Sequence, residues 1–133
     1  MLRYMLDTNI CIYVLKGRPA ALGERFGQIP EQLCISTITL AELLYGAENS
    51  ERREQNLHAV AQFSARLETL PFDAKAAAHY GQLRAALRRA GQPIGLHDML
   101  IGAHARSAAL TLVTNNLREF SRIPGLLVEN WAD

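Results

Sequence analysis

The chain has 133 residues, of which 49% are hydrophobic and 20% are charged, and its formal net charge is +1. This length and composition predict one globular domain, residues 1–133, with a hydrophobic core of its own. They exclude a disordered chain and a generally basic nucleic-acid coat protein, so binding to a polyanion would require a local basic patch.

No apolar run approaches the roughly 18 residues of a membrane helix. Asp7 and Asn9 interrupt the apolar run at the N-terminus, which argues against a signal peptide. Cys11 and Cys34 lie in apolar runs without CxxC spacing, so we expect buried free thiols. These features predict a soluble, cytoplasmic protein without a membrane segment.

The first half of the chain begins with a predicted buried strand. In chain order, the predicted elements are a strand at 3–6, helices at 10–16 and 20–26, a strand at 33–37, and helices at 39–50 and 51–68. Thr8 or Asn9 is expected to cap the first helix, and Gly17 and Pro19 to end it.

The second half repeats the alternation of strands and helices. In order, it contains a weak strand at 69–72, helices at 74–90 and 98–109, a strand at 110–114, a turn or short helix at 115–120, and a strand at 126–130. Asp73 is expected to cap its helix and Asp98 to open the next one. Because the strands are buried and do not alternate with polar residues, we predict an α/β fold with a parallel sheet covered on both faces.

Four acidic residues lie just beyond a predicted strand or in the opening turns of a helix: Asp7, Glu42, Asp98 and Glu119. Ligands of open parallel sheets bind at the carboxyl ends of the strands, where these side chains could converge. Two like charges about 4 Å apart repel by roughly 4 kcal/mol at an effective dielectric near 20, so such a cluster requires a cation. Oxygen-only donors favour Mg²⁺ or Mn²⁺, which serve phosphoryl chemistry.

Each of these acids also has a simpler interpretation. Asp7 could cap the first helix, Asp98 could be a first-turn acid favoured by the helix dipole, and Glu42 and Glu119 could be solvated helix residues. Residue types and spacing alone leave both interpretations open.

Four blocks of sequence, taken together, resemble the PIN-domain ribonucleases, specifically the VapC-type toxins of bacterial toxin-antitoxin pairs. The blocks, in order, are "YMLDTNICIYVLKGRP", "ISTITLAELLYGAENS", "GQPIGLHDMLIGAHARS" and "LTLVTNNLREFSRIPGLLVENW". The resemblance implies an α/β/α sandwich around a parallel five-stranded sheet. It also implies hydrolysis of RNA phosphodiester bonds with Mg²⁺ or Mn²⁺, often in structured RNA such as tRNA.

The resemblance assigns catalytic and metal-binding roles to the four acids, Asp7, Glu42, Asp98 and Glu119. Many PIN domains carry an Asp where this chain has Asn115 and Asn116. Glu119 is therefore expected as the replacement, with Asn116 as a neutral neighbour.

Other residues are expected to support the acids or to contact RNA. The groups expected to orient the carboxylates by hydrogen bonds are Thr8, Asn9, Thr114 and Asn116. The candidate RNA-binding residues are Arg84, Arg88 and Arg118. His97, next to Asp98, could contact an RNA phosphate near the site, but we expect a partly exposed loop histidine.

The resemblance also implies a protein partner. A VapB-type antitoxin would lay its C-terminal segment along a groove lined by "ICIYVL" and "LAELLYG", with a basic side chain in the acidic pocket. Homodimers are common among such proteins.

Three other functional classes would also fit an acidic site at a sheet edge. They are a receiver-like phosphoacceptor, an inactive RNA-binding PIN domain and a DNA-directed nuclease of the same fold. The receiver requires an acidic pair after the first strand, whereas Asp7 is followed by Thr8. Comparing metal-dependent cleavage of RNA and DNA would separate the three from an RNA nuclease.

Overall fold

The computed structural model describes residues 1–132, and its five strands form one parallel sheet. The strands are β1 (Tyr4–Leu6), β2 (Leu33–Ser36), β3 (Glu68–Leu70), β4 (Thr111–Val113) and β5 (Val128–Glu129). Their order is β3-β2-β1-β4-β5, with every neighbouring pair parallel. The chain therefore adds β2 and β3 on one side of β1 and then β4 and β5 on the other side. The strand order consequently reverses between β1 and β4.

Helices cover the sheet on both faces. They are α1 (Thr8–Lys16), α2 (Ala20–Gln28), α3 (Thr37–Glu48), α4 (Arg53–Ser64), α5 (Ala74–Arg89), α6 (Leu96–Ser107) and α7 (Leu117–Phe120). One core cluster includes Ile10 and Phe63, and a second includes Leu83, Ile101 and Phe120. The predicted α/β/α architecture is confirmed. Within residues 1–132, no helix is both long enough and apolar enough to span a membrane.

Two helix starts differ from the prediction. Asp7, and not Thr8 or Asn9, caps α1, because its Oδ1 accepts a hydrogen bond from the Ile10 amide at 2.9 Å. The prediction that Asp98 opens its helix is also wrong, because α6 begins at Leu96 and Asp98 lies within its first turn.

Other boundaries differ by a few residues. The helix predicted over 51–68 ends at Ser64, because the chain leaves it to enter β3 at Glu68. The strand predicted over 126–130 pairs only at Val128–Glu129. The predicted cap at Asp73 is confirmed by its 2.9 Å hydrogen bond from the Ala76 amide.

The two cysteines are free and buried, as predicted. Burial raises the pKa of the Cys11 thiol well above its ordinary value and that of Cys34 to about 12. Both thiols therefore stay protonated and act as small apolar core groups.

Candidate active site

Asp7 and Thr114 lie at the reversal point of the sheet, directly after β1 and β4. Both are buried, and Asp7 is only 3% exposed. Burial raises the pKa of the Asp7 carboxyl, while hydrogen bonds from Thr114 and the Ile10 amide oppose that rise. An α/β sheet binds its ligands in the crevice at such a point, so Asp7 lies where a ligand site is expected.

Glu42 enters the same region from α3. That helix starts where the Ser36 hydroxyl accepts a hydrogen bond from the Ile38 amide, so Glu42 lies in its second turn. Thr8 Oγ1 donates to Glu42 Oε1 at 2.6 Å, and His97 Nδ1 lies 2.8 Å from Glu42 Oε2. Each carboxylate oxygen thus has one partner and retains a lone pair for another ligand.

His97 differs from its prediction as a loop residue. It lies in the first turn of α6, and although its side chain is 62% exposed, its ring contacts Glu42. No feature of the sequence near His97 indicated this contact, because its partner lies in a distant helix. The contact therefore depends on how α3 and α6 pack.

Asp98 links the four carboxylates electrostatically. Burial, followed by the charges of Asp7, Glu119 and Glu42, raises the pKa of Asp98 to about 6. A hydrogen bond between the Asp98 and Glu119 side chains also favours the protonated form. Asp7, Glu42 and Glu119 therefore lie close enough to Asp98 for their charges to raise its pKa.

Glu119 lies on α7, and the residues that end and follow α7, Phe120 and Ile123, pack closely on α6. A Cβ at Gly102 would lie 2.5 Å from Ile123 Cδ1, so glycine permits this approach. Gly102 lies four residues after Asp98, on the same face of α6. Asn116 Nδ2 donates to Glu119 Oε2 at 3.1 Å, and the Asn116 amide donates to Thr114 Oγ1 at 2.9 Å.

Some predicted residues lie outside this cluster. Asn9 is exposed and has no side-chain hydrogen bond to the rest of residues 1–132. Arg118 is exposed on α7, beside Glu119, while Arg84 and Arg88 are exposed on α5. In the part of the chain that the structure describes, no three acidic, histidine or cysteine side chains form a ready-made metal site.

The family model of the PIN domain matches residues 4–126. The chain with this fold and this carboxylate edge is therefore a PIN domain protein. The chain is 53% identical over 132 residues to the tRNA(fMet)-specific endonuclease VapC of Salmonella typhimurium, and 51% identical to the protein of that name from Shigella flexneri. Each alignment covers 99% of this chain and 100% of the relative.

A solved structure agrees with these alignments. The crystal structure of DNA-bound VapBC from Salmonella typhimurium contains a chain with a TM-score of 0.95 and 53% identity, covering 98% of this chain and 99% of that one. The protein therefore belongs to the VapC ribonucleases of the PIN domain family, which confirms the resemblance read from the sequence.

Proposed function

We propose that the protein is a divalent-metal-dependent endoribonuclease that cleaves tRNA and is neutralised by a VapB-type antitoxin. The observation that carries the proposal is the proximity of Asp7, Glu42 and Glu119 to Asp98, because their charges add to burial in raising the pKa of Asp98 to about 6. The tRNA substrate is inferred from relatives named tRNA(fMet)-specific endonucleases, and a tRNA substrate implies action in the cytoplasm.

The donor set fits Mg²⁺ or Mn²⁺. The four groups are all carboxylates, and hard divalent cations prefer oxygen donors. Asp7 and Asp98 would be the primary ligands, with Glu42 and Glu119 binding directly or through water. When bound, such an ion neutralises charge on phosphate oxygens and acidifies a bound water.

The protein's own groups would orient the reactants. Thr8 and His97 fix the Glu42 carboxylate from two sides, so Glu42 can align the attacking water through a remaining lone pair. Thr114 holds Asp7, and Asn116 holds Glu119. These contacts support the predicted orienting role of Thr8, Thr114 and Asn116. Asn9 would act only once substrate is bound, since its side chain is exposed.

Basic side chains would bring RNA to this acidic edge. Arg118 is adjacent to Glu119, and Arg84 and Arg88 are one turn apart on α5. Each cation that neutralises a phosphate adds sequence-independent affinity.

An antitoxin is proposed from the solved VapBC complexes and from a surface cavity. The cavity has a volume of about 320 Å³, and its lining includes Ile12, Leu15, Leu43 and Glu42. Both stretches expected to line the groove contribute to it. A guanidinium from a partner segment lying there would reach an acidic wall, where it can pair with a carboxylate. A homodimer stays a prediction, which sedimentation of the purified protein would test.

Cleavage of tRNA by the purified protein, freed of any partner, tests this function. We expect cuts at a limited number of sites with Mg²⁺ or Mn²⁺, none in EDTA, and none with Asp7→Asn. Sequencing the new ends would identify the site. Cleavage of single-stranded DNA at an equal rate, or cleavage of tRNA by Asp7→Asn, would contradict the proposal.

A further inference from the structure

A second cavity lies at the start of α6, the helix that carries Asp98, and differs in character from the acidic edge. Its volume is about 350 Å³, near the lower end of the range for small-molecule sites. The residues that line it are Arg84, Arg88, Pro93, Ile94, Leu96 and Met99. We call this cavity the arginine pocket. It has a cationic side on α5 and an apolar side on the start of α6, with no acidic residue in its lining.

The two arginines of the pocket have no carboxylate partner among residues 1–132. The ion pairs of that part of the chain are made by Arg25, Arg53 and His97. Arg84 donates to the Tyr80 hydroxyl at 2.7 Å, which orients its guanidinium without neutralising the charge. Arg84 and Arg88 are four residues apart, hence on one face of α5. The pocket therefore presents two unneutralised positive charges side by side.

The apolar side of the pocket includes an exposed residue. Leu96 is 55% exposed, whereas Met99 beneath it is buried. Leu96 and Met99 are three residues apart and so lie on one face of α6. An anion alone gains nothing from this apolar wall, whereas a nucleotide, with an apolar base face and a charged phosphate, gains from both sides of the pocket.

The pocket is attached to the acidic edge by two links. Asp98 lies between Leu96 and Met99 in the first turn of α6, so the pocket and the carboxylates lie on different sides of one helix about 10 Å across. Arg122 Nη1 donates to the carbonyl oxygen of Pro93 at 3.0 Å, which ties the pocket's loop to the segment following Glu119. These links place the pocket on the helix that carries Asp98 and against the segment that follows Glu119.

We infer that the arginine pocket binds a nucleotide of the single-stranded part of the RNA substrate that flanks the scissile phosphate. Arg84 and Arg88 contact its phosphates, and Ile94, Leu96 and Met99 contact the base. This inference rests on the proposed nuclease function. It goes beyond that function because it gives the enzyme a subsite away from the reacting atoms that contributes affinity.

Binding of fluorescently labelled total tRNA tests the inference. The full chain carries Asp7→Asn so that RNA is not cut, and dissociation constants are measured over a range of salt concentrations. Arg84→Gln/Arg88→Gln should weaken binding about tenfold or more and make the salt slope shallower by about 1.4, since each lost single-strand phosphate contact removes about 0.7. Leu96→Ala should weaken binding without changing the slope.

Arg89→Gln is the matched control, because Arg89 is exposed on the same helix and does not line the pocket. It should bind within about twofold of the parent, with a smaller change in slope. Equal affinities and slopes for the double variant and Arg89→Gln would overturn the inference. So would a changed sedimentation coefficient of the double variant, because the pocket would then be a contact between copies of the chain.

Cleavage by protein with Asp7 intact separates this inference from the proposed function. If Arg84→Gln/Arg88→Gln cuts tRNA with the KM of the unaltered protein, the pocket inference is wrong while the nuclease stands. If the unaltered protein neither binds nor cuts tRNA, both are wrong.

Discussion

Glu42 shows how one carboxylate is oriented by residues from two other elements. Thr8 on α1 contacts Oε1 and His97 on α6 contacts Oε2, so the positions of three helices determine the direction of one side chain. Such contacts matter in a nuclease because misplacing an orienting group reduces the rate without preventing substrate binding.

Replacing His97 tests this orientation. We expect His97→Ala to lower kcat on tRNA about fivefold, because the lost hydrogen bond contributes about 1 kcal/mol. The KM should stay within about twofold of that of the unaltered protein. His97→Asn retains an N–H donor near the Nδ1 position and should recover most of the rate. Steady-state kinetics would contradict this role if His97→Ala cut at the original rate, or if His97→Asn lost as much as alanine.

The raised pKa of Asp98 predicts how the stability of the metal-free protein changes with pH. Its folded-state pKa of about 6 lies above the ordinary value of 3.8, so the folded protein holds this proton more tightly than the unfolded chain. The stabilisation from that proton is full below about pH 4 and is lost as pH rises through 6. Ionised Asp98 therefore destabilises the metal-free protein at neutral pH.

Asp98→Asn should remove this penalty. In EDTA at pH 7.5 we expect a Tm increase of roughly 3–5 °C, corresponding to about 1 kcal/mol after allowing for solvent at a partly exposed carboxyl. At pH 4.5 the gain should shrink to about a third, because Asp98 is then protonated in the folded protein but still mostly ionised in the unfolded chain. Thermal unfolding at the two pH values gives the comparison. An equal difference in Tm between the two proteins at both pH values would mean that the charge of Asp98 does not cause the difference.

Among the helices and strands, the cap of α1 is also part of the candidate site. Asp7 directly follows β1, caps α1 and lies within reach of the charge of Glu42, so one side chain combines a structural role with the position proposed for a metal ligand. The sequence leaves capping by Asp7 and a catalytic role as alternatives and predicts Thr8 or Asn9 as the cap. In the structure Asp7 is both the cap of α1 and a member of the carboxylate cluster. Its buried Oδ1 accepts a hydrogen bond from the Ile10 amide, and its carboxylate still lies close enough to Glu42 for the two charges to interact.

Two substitutions at Asp7 should separate its two roles. Asn retains an oxygen for the Ile10 amide, whereas Ala removes the cap at a cost of about 1 kcal/mol. Both should abolish cleavage. In EDTA, Asp7→Asn should keep or exceed the Tm of the unaltered protein, and Asp7→Ala should fall below Asp7→Asn by roughly 3–5 °C. Equal Tm values for Asn and Ala would show that the hydrogen bond does not stabilise α1.

Element types were more predictable from the sequence than element boundaries. The apolar pattern that predicted a helix to residue 68 includes Leu67, which packs against the core from the turn after α4. Leu67 is therefore partly buried although it lies beyond the end of α4, so the apolar spacing in the sequence extends past the helix itself. At β5, the predicted strand includes apolar residues 126–127, but only the two residues after them pair with β4. The position of the partner strand sets where pairing begins, and the local sequence does not show it.

At the scale of the whole molecule, topology explains why distant acids meet. Placing β1 between β2 and β4 brings the segments that follow these strands to one edge, along with the first turn of α6. The four acids were identifiable from their positions just beyond strands or in the opening turns of helices, and the polar residues next to Asp7 and Glu119 were identifiable as candidate partners. The contacts of His97 and Arg122 were not identifiable, because they depend on the packing of helices and loops that no local pattern specifies.

Titration of the metal-free protein with Mn²⁺ shows whether the carboxylate edge binds a divalent cation. Calorimetry at pH 7.5 should detect saturable binding to the unaltered protein and to Arg89→Gln. Asp7→Asn and Asp98→Asn should each bind about tenfold more weakly or worse, because each removes a charged ligand. Saturable binding of equal strength in all four proteins, or none in the unaltered one, would contradict the account.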